Sequence, residues 1–307
     1  MDEEKGIKRD GFKDLKPENK RTRKEPQKPW GIKERLIILF TLLVTVLTSA
    51  FLSLSSRNFK LPNSPKLSFS FNSFSKLFED QVIVVGKKGN KVSQEKIENA
   101  KKQFNEATDG YSGIYAFYLY DLNGDYYYGL NYQEIMQAAS LIKLPVMYLA
   151  MKENQDKSLI EAMGKRTDNN AFNKMVNTLG KEKINKTISE LGMVNTSFSE
   201  NLTTPEEIGM FFVKLYKNEI LKEDDTKELT SFMTNTIFEE WLKPGLPTGV
   251  TLIHKYGRES GTVNDAGIVL SSKPFVLVIM TDGVIEREAD ELFPKLSKIL
   301  YDNHIKE

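Results

Sequence analysis

Apolar and polar positions along this chain fall into four regimes. Residues 1–35 hold almost no aliphatic clusters, residues 36–56 carry no charge, and residues 57–80 interleave Phe with Ser, Asn and Pro. From Gln81 onward the spacing of apolar residues alternates between the helical and the strand period. The run Leu36–Leu54 is almost wholly apolar. At about 1.5 Å per residue it is long enough to cross a hydrocarbon core of about 30 Å. The segment before it holds 11 Lys/Arg against 8 Asp/Glu within residues 1–34 and carries Lys33, Arg35 and Trp30 close to the apolar run. That pattern predicts a disordered basic tail on the cytoplasmic side, a single transmembrane anchor at 36–56, and everything later outside the membrane. A signal peptide cleaved near Thr48-Ser49-Ala50 is the alternative, and the leader is long for one. Residues 57–80, as in Ser68-Phe69-Ser70-Phe71, read as a low-complexity spacer.

The folded domain is expected over 81–307. Ser93 reads as an N-cap for a helix through Ala107, with Ile97 and Phe104 on its apolar stripe. Tyr111–Tyr120 and Tyr126–Leu130 read as two strands, and Asn123-Gly124 between them marks a hairpin. From Ser140 to about residue 236 the chain is mainly helical, with helices ending at Gly180 and Gly192. Thr204-Pro205-Glu206-Glu207 reads as an N-cap, a first-turn proline and a capping-box acid. Val250–Tyr256, Ala266–Leu270 and Phe275–Thr281 read as strands, and Ala289–Leu300 as a closing amphipathic helix. Strands at both ends with helices between them predict an α+β domain: an antiparallel sheet flanked by terminal helices, plus an all-helical insertion.

Composition narrows the chemistry. There are no cysteines, which removes disulfides and thiolate catalysis, and the two histidines make a metal centre improbable. No cofactor or metal is expected. A net charge of +1 gives no pull toward nucleic acid. The aromatic strands lack interleaved basic residues, so they read as sheet faces rather than a base-stacking platform.

Candidate chemistry starts at Ser140-Leu141-Ile142-Lys143. A serine and a lysine three apart at a helix start share one face. A desolvated lysine can lose its proton and activate the hydroxyl, and the helix start offers free amides to an oxyanion. The same spacing recurs at Ser73/Lys76 and Ser93/Lys96, so it is not decisive alone. His254 invites a Ser–His reading, but no Gly-x-Ser-x-Gly elbow is present, and His254 is expected to point away from Ser140.

Two later stretches, Thr167-Asp168-Asn169 and Lys255-Tyr256-Gly257, complete an ordered set with Ser140-x-x-Lys143. Together they resemble the Ser-x-x-Lys, Ser-Asp-Asn and Lys-Thr-Gly motifs of the penicillin-recognising serine hydrolases, closest to the class A β-lactamase-like branch, over roughly residues 90–305. The hairpin before Ser140, the Asp168-Asn169-Asn170-Ala171-Phe172-Asn173 run and Thr203-Thr204-Pro205 before a helix add to the likeness. The resemblance implies a β-lactamase/transpeptidase-like fold and these roles. Ser140 is acylated, Lys143 is its base or proton relay, and Thr167 passes a proton to the leaving nitrogen. Asn169 holds the substrate amide, Lys255 draws a substrate carboxylate, and Gly257 lets its strand approach. The amides of Ser140 and Arg258 form the oxyanion hole, and Asp168 fixes its loop. Tyr256 replaces a threonine that usually meets the substrate carboxylate, so carboxylate binding is expected to change. No Glu-x-x-x-Asn loop for a deacylating water is visible between Gly192 and Thr203, where Glu200 is the single acid. The expected activity is a membrane-anchored serine hydrolase forming an acyl-enzyme with β-lactams or related amides. A D-Ala-D-Ala-type cell-wall peptidase and a catalytically impaired wall-binding scaffold are the alternatives.

Overall fold

The computed structural model describes residues 40–48 and 94–305. The chain divides into two compact units, Met1–Phe74 and Ser75–Glu307. In the first, residues 40–48 are helical, inside the charge-free run at 36–56. Among the described residues no helix is long and apolar enough to cross a membrane. The rest of the expected anchor, the basic tail, the spacer and the expected domain start at Gln81 lie outside the described residues.

The second unit opens with helix α1 (Gln94–Thr108) and the hairpin β1 (Ile114–Asp121) and β2 (Tyr126–Leu130). A two-residue strand, β3 (Met136–Gln137), leads into a 3-10 turn at Ala139–Ile142. Helices α2 (Lys143–Lys152), α3 (Lys157–Arg166), α4 (Asn169–Leu179) and α5 (Lys181–Glu190) follow. Then come β4 (Leu202–Thr203), α6 (Pro205–Tyr216) and α7 (Glu223–Ser231). Strands β5 (Thr251–Glu259), β6 (Thr262–Leu270) and β7 (Phe275–Asp282) and helix α8 (Glu286–Ile305) close the domain.

The five long strands form one antiparallel sheet in the order β2-β1-β7-β6-β5, and β3 pairs with β4 apart from it. Both faces of the sheet are covered, and strand alternation assigns side chains to them. On β1, Tyr115, Phe117 and Leu119 pack in the layer that includes Ile97 and Phe104 of α1 and Leu292 and Leu296 of α8. Ala116, Tyr118 and Tyr120 face the other layer, with Ile208 and Phe212 of α6 and Val146 of α2. Strand β7 divides the same way, Phe275, Leu277 and Ile279 against Val276, Val278 and Met280. This is an α+β sandwich of two cores, with β5 at one edge of the sheet.

Local chemistry accounts for the element ends. Thr204 caps α6 by accepting the Glu207 amide at 3.2 Å, with Pro205 in the first turn. Asp168 caps α4 by accepting the Ala171 amide at 2.8 Å, and that role explains the carboxylate in Thr167-Asp168-Asn169. The β1–β2 turn differs from the expected Asn-Gly form. Asp121 Oδ1 accepts the amides of Asn123 (2.9 Å) and Gly124 (2.5 Å), and the left-handed residue is Asp125, at φ 52°. The β5–β6 hairpin also runs further than expected, since β5 continues past Tyr256 to Glu259 and β6 begins at Thr262. Its turn holds Gly261 at φ 73°.

Candidate active site

Ser140 sits in the 3-10 turn, one turn ahead of α2, rather than inside the helix itself. The turn is entered through Ala139 at φ 47°, a left-handed conformation uncommon for a residue other than glycine, asparagine or aspartate. Lys143, the first residue of α2, is 2% exposed. Its Nζ lies 2.9 Å from Ser140 Oγ, 3.0 Å from the Thr167 carbonyl and 2.7 Å from Asn169 Oδ1. Burial pulls the Lys143 pKa down to about 8, against an opposing pull from Asp168. The three contacts then fix the direction of the neutral amine. Thr167 O and Asn169 Oδ1 only accept, so they take the two N–H groups, and the lone pair is left facing the Ser140 hydroxyl.

Strand β5 forms the neighbouring edge. A Cβ added to Gly257 would stand 2.5 Å from the Ser140 nitrogen, so only glycine lets this strand pass the nucleophile turn. The His254 amide donates to Met233 O at 2.8 Å, on the side of β5 opposite β6. Amides alternate edges along a strand, so those of Tyr256 and Arg258 leave by the same edge, the one facing Ser140. Lys255 is completely buried. Its Nζ donates to Thr167 Oγ1 at 2.6 Å and to Tyr256 O at 2.8 Å. Burial, reinforced by the charge of Lys143, holds its pKa well below the usual lysine value. Thr167, left-handed at φ 57°, therefore links the two amines: its carbonyl meets Lys143 and its hydroxyl meets Lys255.

The cleft over Ser140 encloses about 520 Å³ and is lined by Ser140, Lys143, Asn169, Phe172, Phe198 and Arg258, among others. Tyr256 does not line it. Its ring packs 5.1 Å from Phe238 and 6.1 Å from Trp241, beneath the Lys255 ammonium at 4.6 Å. The Arg258 guanidinium also turns away, to Asp290 and Glu286 of α8 and over Trp241, leaving its amide as the part near the site. His254 points elsewhere, as expected. Its Nδ1 meets Asp265 Oδ1 at 2.7 Å, and Nε2 meets Thr236 (3.2 Å) and Glu239 (3.3 Å).

A model of the beta-lactamase enzyme family matches residues 99–159 and 155–304 of this chain. The chain belongs to the beta-lactamase enzyme family. Its fold is shared with PBP-A at TM-score 0.61 and 22% identity, over 67% of this chain and 96% of that one. The TLA-1 extended spectrum beta-lactamase matches at TM-score 0.62 and 19% identity, over 68% and 99%. A class A beta-lactamase from Clostridium kluyveri DSM 555 matches at TM-score 0.61 and 19% identity, over 67% and 98%. No curated protein matches the chain.

In this beta-lactamase-family chain the loop between α5 and β4 brings no carboxylate to the nucleophile. Glu200 is exposed and is absent from the cleft lining; its amide bonds Ser197 Oγ at 3.3 Å. Glu207, on α6, ties the loop down instead, accepting the Asn195 amide at 2.7 Å and the Thr196 hydroxyl at 2.6 Å. The loop residues that reach the cleft are Phe198, whose ring lies 6.1 Å from Phe172, and Asn201. Sequence reasoning did not single out these two or Glu259, which also lines the cleft. The one available signal for Glu259 was its place two residues past Gly257 on the same strand.

Proposed function

We propose that this chain is a serine hydrolase that forms an ester with β-lactams or related amides at Ser140. The observation that carries the reading is the buried Lys143 Nζ, 2.9 Å from Ser140 Oγ, with Thr167 O and Asn169 Oδ1 placed to take its N–H groups when the amine is neutral. Ser140 Oγ attacks the amide carbonyl as its proton passes to Lys143. The developing oxyanion meets the Ser140 and Arg258 amides. The C–N bond then breaks, and the leaving nitrogen takes the proton of the Thr167 hydroxyl, which is replaced from the Lys255 ammonium at 2.6 Å. The proton taken from Ser140 stays on Lys143, so one proton leaves Lys255 as one arrives on Lys143. Asn169, its oxygen committed to Lys143, offers its NH₂ to the substrate amide. Lys255, sealed behind Thr167 and Tyr256, acts on a substrate carboxylate by potential rather than by contact. A PBP-A mutant is known as an acyl-enzyme complex with penicillin-G, which supports the same first step here.

With Phe198 in place of a loop carboxylate, hydrolysis of a β-lactam ester is slow. That same feature favours a second reading on the same nucleophile, a D-Ala-D-Ala-type peptidase of the cell wall. The charge-free run at 36–56, with basic residues before it, supports a single-pass anchor in the cell membrane with its N-terminus cytoplasmic and the domain outside. Incubating the full chain with penicillin-G and following intact mass tests the proposal. One equivalent should bind and persist, and Ser140→Ala should bind none. No adduct on the native chain, or an adduct on Ser140→Ala, removes the reading.

A further inference from the structure

Two cross-strand neighbours, Gly257 on β5 and Asn264 on β6, meet the nucleophile turn together. Directly opposed residues of antiparallel strands present their side chains on the same face of the sheet. Gly257 meets the turn by lacking a side chain, since a Cβ there would stand 2.5 Å from the Ser140 nitrogen. Asn264 meets it with a carboxamide. Asn264 is fully buried, and its Nδ2 donates to Gln137 O at 2.8 Å and to Ala138 O at 3.2 Å. Its Oδ1 accepts the Thr281 amide of β7 at 2.9 Å.

Packing does not explain an asparagine at this place. Ala266 and Ile268, on the same face of β6, belong to the apolar layer that includes α2 and α6. A leucine of similar size would join that layer with no polar group to satisfy. The carboxamide adds two donors for two consecutive buried carbonyls, each of which needs one. In an extended strand consecutive carbonyls point to opposite edges, whereas across a helical residue they point the same way. Ala138 is helical, at φ −73° and ψ −27°, and Ala139 then turns left-handed at φ 47°. That bend aims the carbonyls of Gln137 and Ala138 at one NH₂ group, and the NH₂ group in turn favours the bend. Ala138 O also accepts the Leu141 amide at 3.1 Å, which closes the turn around Ser140.

We propose that Asn264 is a positioning residue for the nucleophile: its NH₂ group fixes the peptide planes ahead of Ala139 and so holds the Ser140 hydroxyl and amide in their reactive directions. The inference rests on the acyl-enzyme reading above and adds to it a residue outside the three motifs. Asn264 acts through the turn and touches neither substrate nor the reacting atoms. Both groups that it steers work in the transition state, the hydroxyl as it attacks and the amide as it meets the oxyanion. Its loss therefore falls on the acylation step and leaves non-covalent binding in place.

Stopped-flow acylation of the full chain across penicillin-G concentrations tests this, because it separates the dissociation constant of the non-covalent complex from the rate constant of acylation. The native chain is compared with Asn264→Leu, Asn264→Asp and Asn303→Leu. The last makes the same replacement on the opposite face of the sheet, where Asn303 Nδ2 of α8 donates to Ile299 O at 2.9 Å and to Gln103 Oε1 of α1 at 3.1 Å. Asn264→Leu should lower the acylation rate constant about 10²-fold, the range for a misplaced reacting group. In Asn264→Asp the carboxyl, buried against two carbonyls, keeps its proton and supplies one donor of the two. That variant should lose about tenfold, as for one buried hydrogen bond. In both, the dissociation constant should stay within about twofold of native. Asn303→Leu should lower the urea midpoint and acylate at the native rate. Native rates in a folded Asn264 variant, a loss carried by the dissociation constant, or an equal loss of rate in Asn303→Leu overturns the role and leaves Ser140 acylation standing. Should Asn264→Leu not fold, Asn264→Asp decides alone, between a loss of about tenfold and none. No acylation of the native chain removes the acyl-enzyme reading, and this role with it.

Discussion

His254 and Lys255 are neighbours on β5, both fully buried and both basic, yet they are driven in opposite directions. Around His254, burial alone would lower the pKa, but Asp265 at 2.7 Å and Glu239 at 3.3 Å outweigh it and raise the value to about 9. Around Lys255 and Lys143 the partners are hydroxyls, carbonyls and an amide oxygen, so desolvation wins and both values fall. The same strand therefore carries a structural cation on one face and part of a proton-transfer site on the other. Counter-charge within a few ångströms decides which is which. A lysine base needs burial with no carboxylate in contact, and for Lys143 desolvation outweighs the more distant pull of Asp168.

The comparison can be broken most sharply at Lys143. Lys143→Met should slow acylation of Ser140 by about 10²–10⁴-fold, the range for loss of a general base. In the native chain the acylation rate should rise with pH through about 8 as the amine loses its proton. Stopped-flow labelling across pH checks both, and a native profile flat through that range would show that Lys143 is not the base. Next in size is Gly257→Ala. Its Cβ would press on the Ser140 nitrogen at 2.5 Å, so the nucleophile turn must shift. Acylation should fall about 10²-fold, as small misplacements of reacting groups do, with a stability cost of about 1–3 kcal/mol.

The structural side of the strand is tested by Asp265→Asn. It leaves His254 buried with one carboxylate fewer and should cost about 3–5 kcal/mol at pH 6, read by urea unfolding. The smallest effect is the pH dependence of native stability. His254 has a folded pKa raised from 6.5 to about 9, so its contribution is complete below 6.5 and is lost as pH rises through 9. Lys143, lowered from 10.5 to about 8, has the opposite sign and restores stability between those two values. Lys255, also lowered, has the same sign as Lys143, so His254 alone pulls unfolding free energy down as pH rises from 6.5. Asp265→Asn should remove that pull and make the slope between pH 6.5 and 8 more positive than in the native chain, and Lys143→Met should remove part of the recovery above pH 8.

Much of the fold was legible because it rests on contacts between near neighbours. Ile97, Ala100, Phe104 and Ala107 are spaced to one face of α1, and the caps at Asp168 and Thr204 act within three residues. Helices α3 and α7 were not delimited by their patterns, and the continuation of β5 to Glu259 was missed. Tyr256-Gly257-Arg258-Glu259 has weak alternation, and its pairing with Thr262–Asp265 supplies the order. At the site, the motif residues were legible as types. Phe198, Asn201 and Glu259 were not, since nothing local distinguishes a cleft-facing asparagine from a solvated one.

The amino-acid order by itself determined the succession of helices and strands, the family motifs and the lack of a Glu-x-x-x-Asn loop, because periodicity, capping and spacing are properties of a few adjacent residues. Only the tertiary structure decided that β1 and β7, far apart in the chain, would pair at the centre of the sheet. Only it brought Thr167 between Lys143 and Lys255 and set a carboxylate in hydrogen-bond contact with His254 but none in contact with the two lysines. Desolvation and counter-charge are sums over neighbours in space, and those sums exist once the chain has closed around the groups they act on.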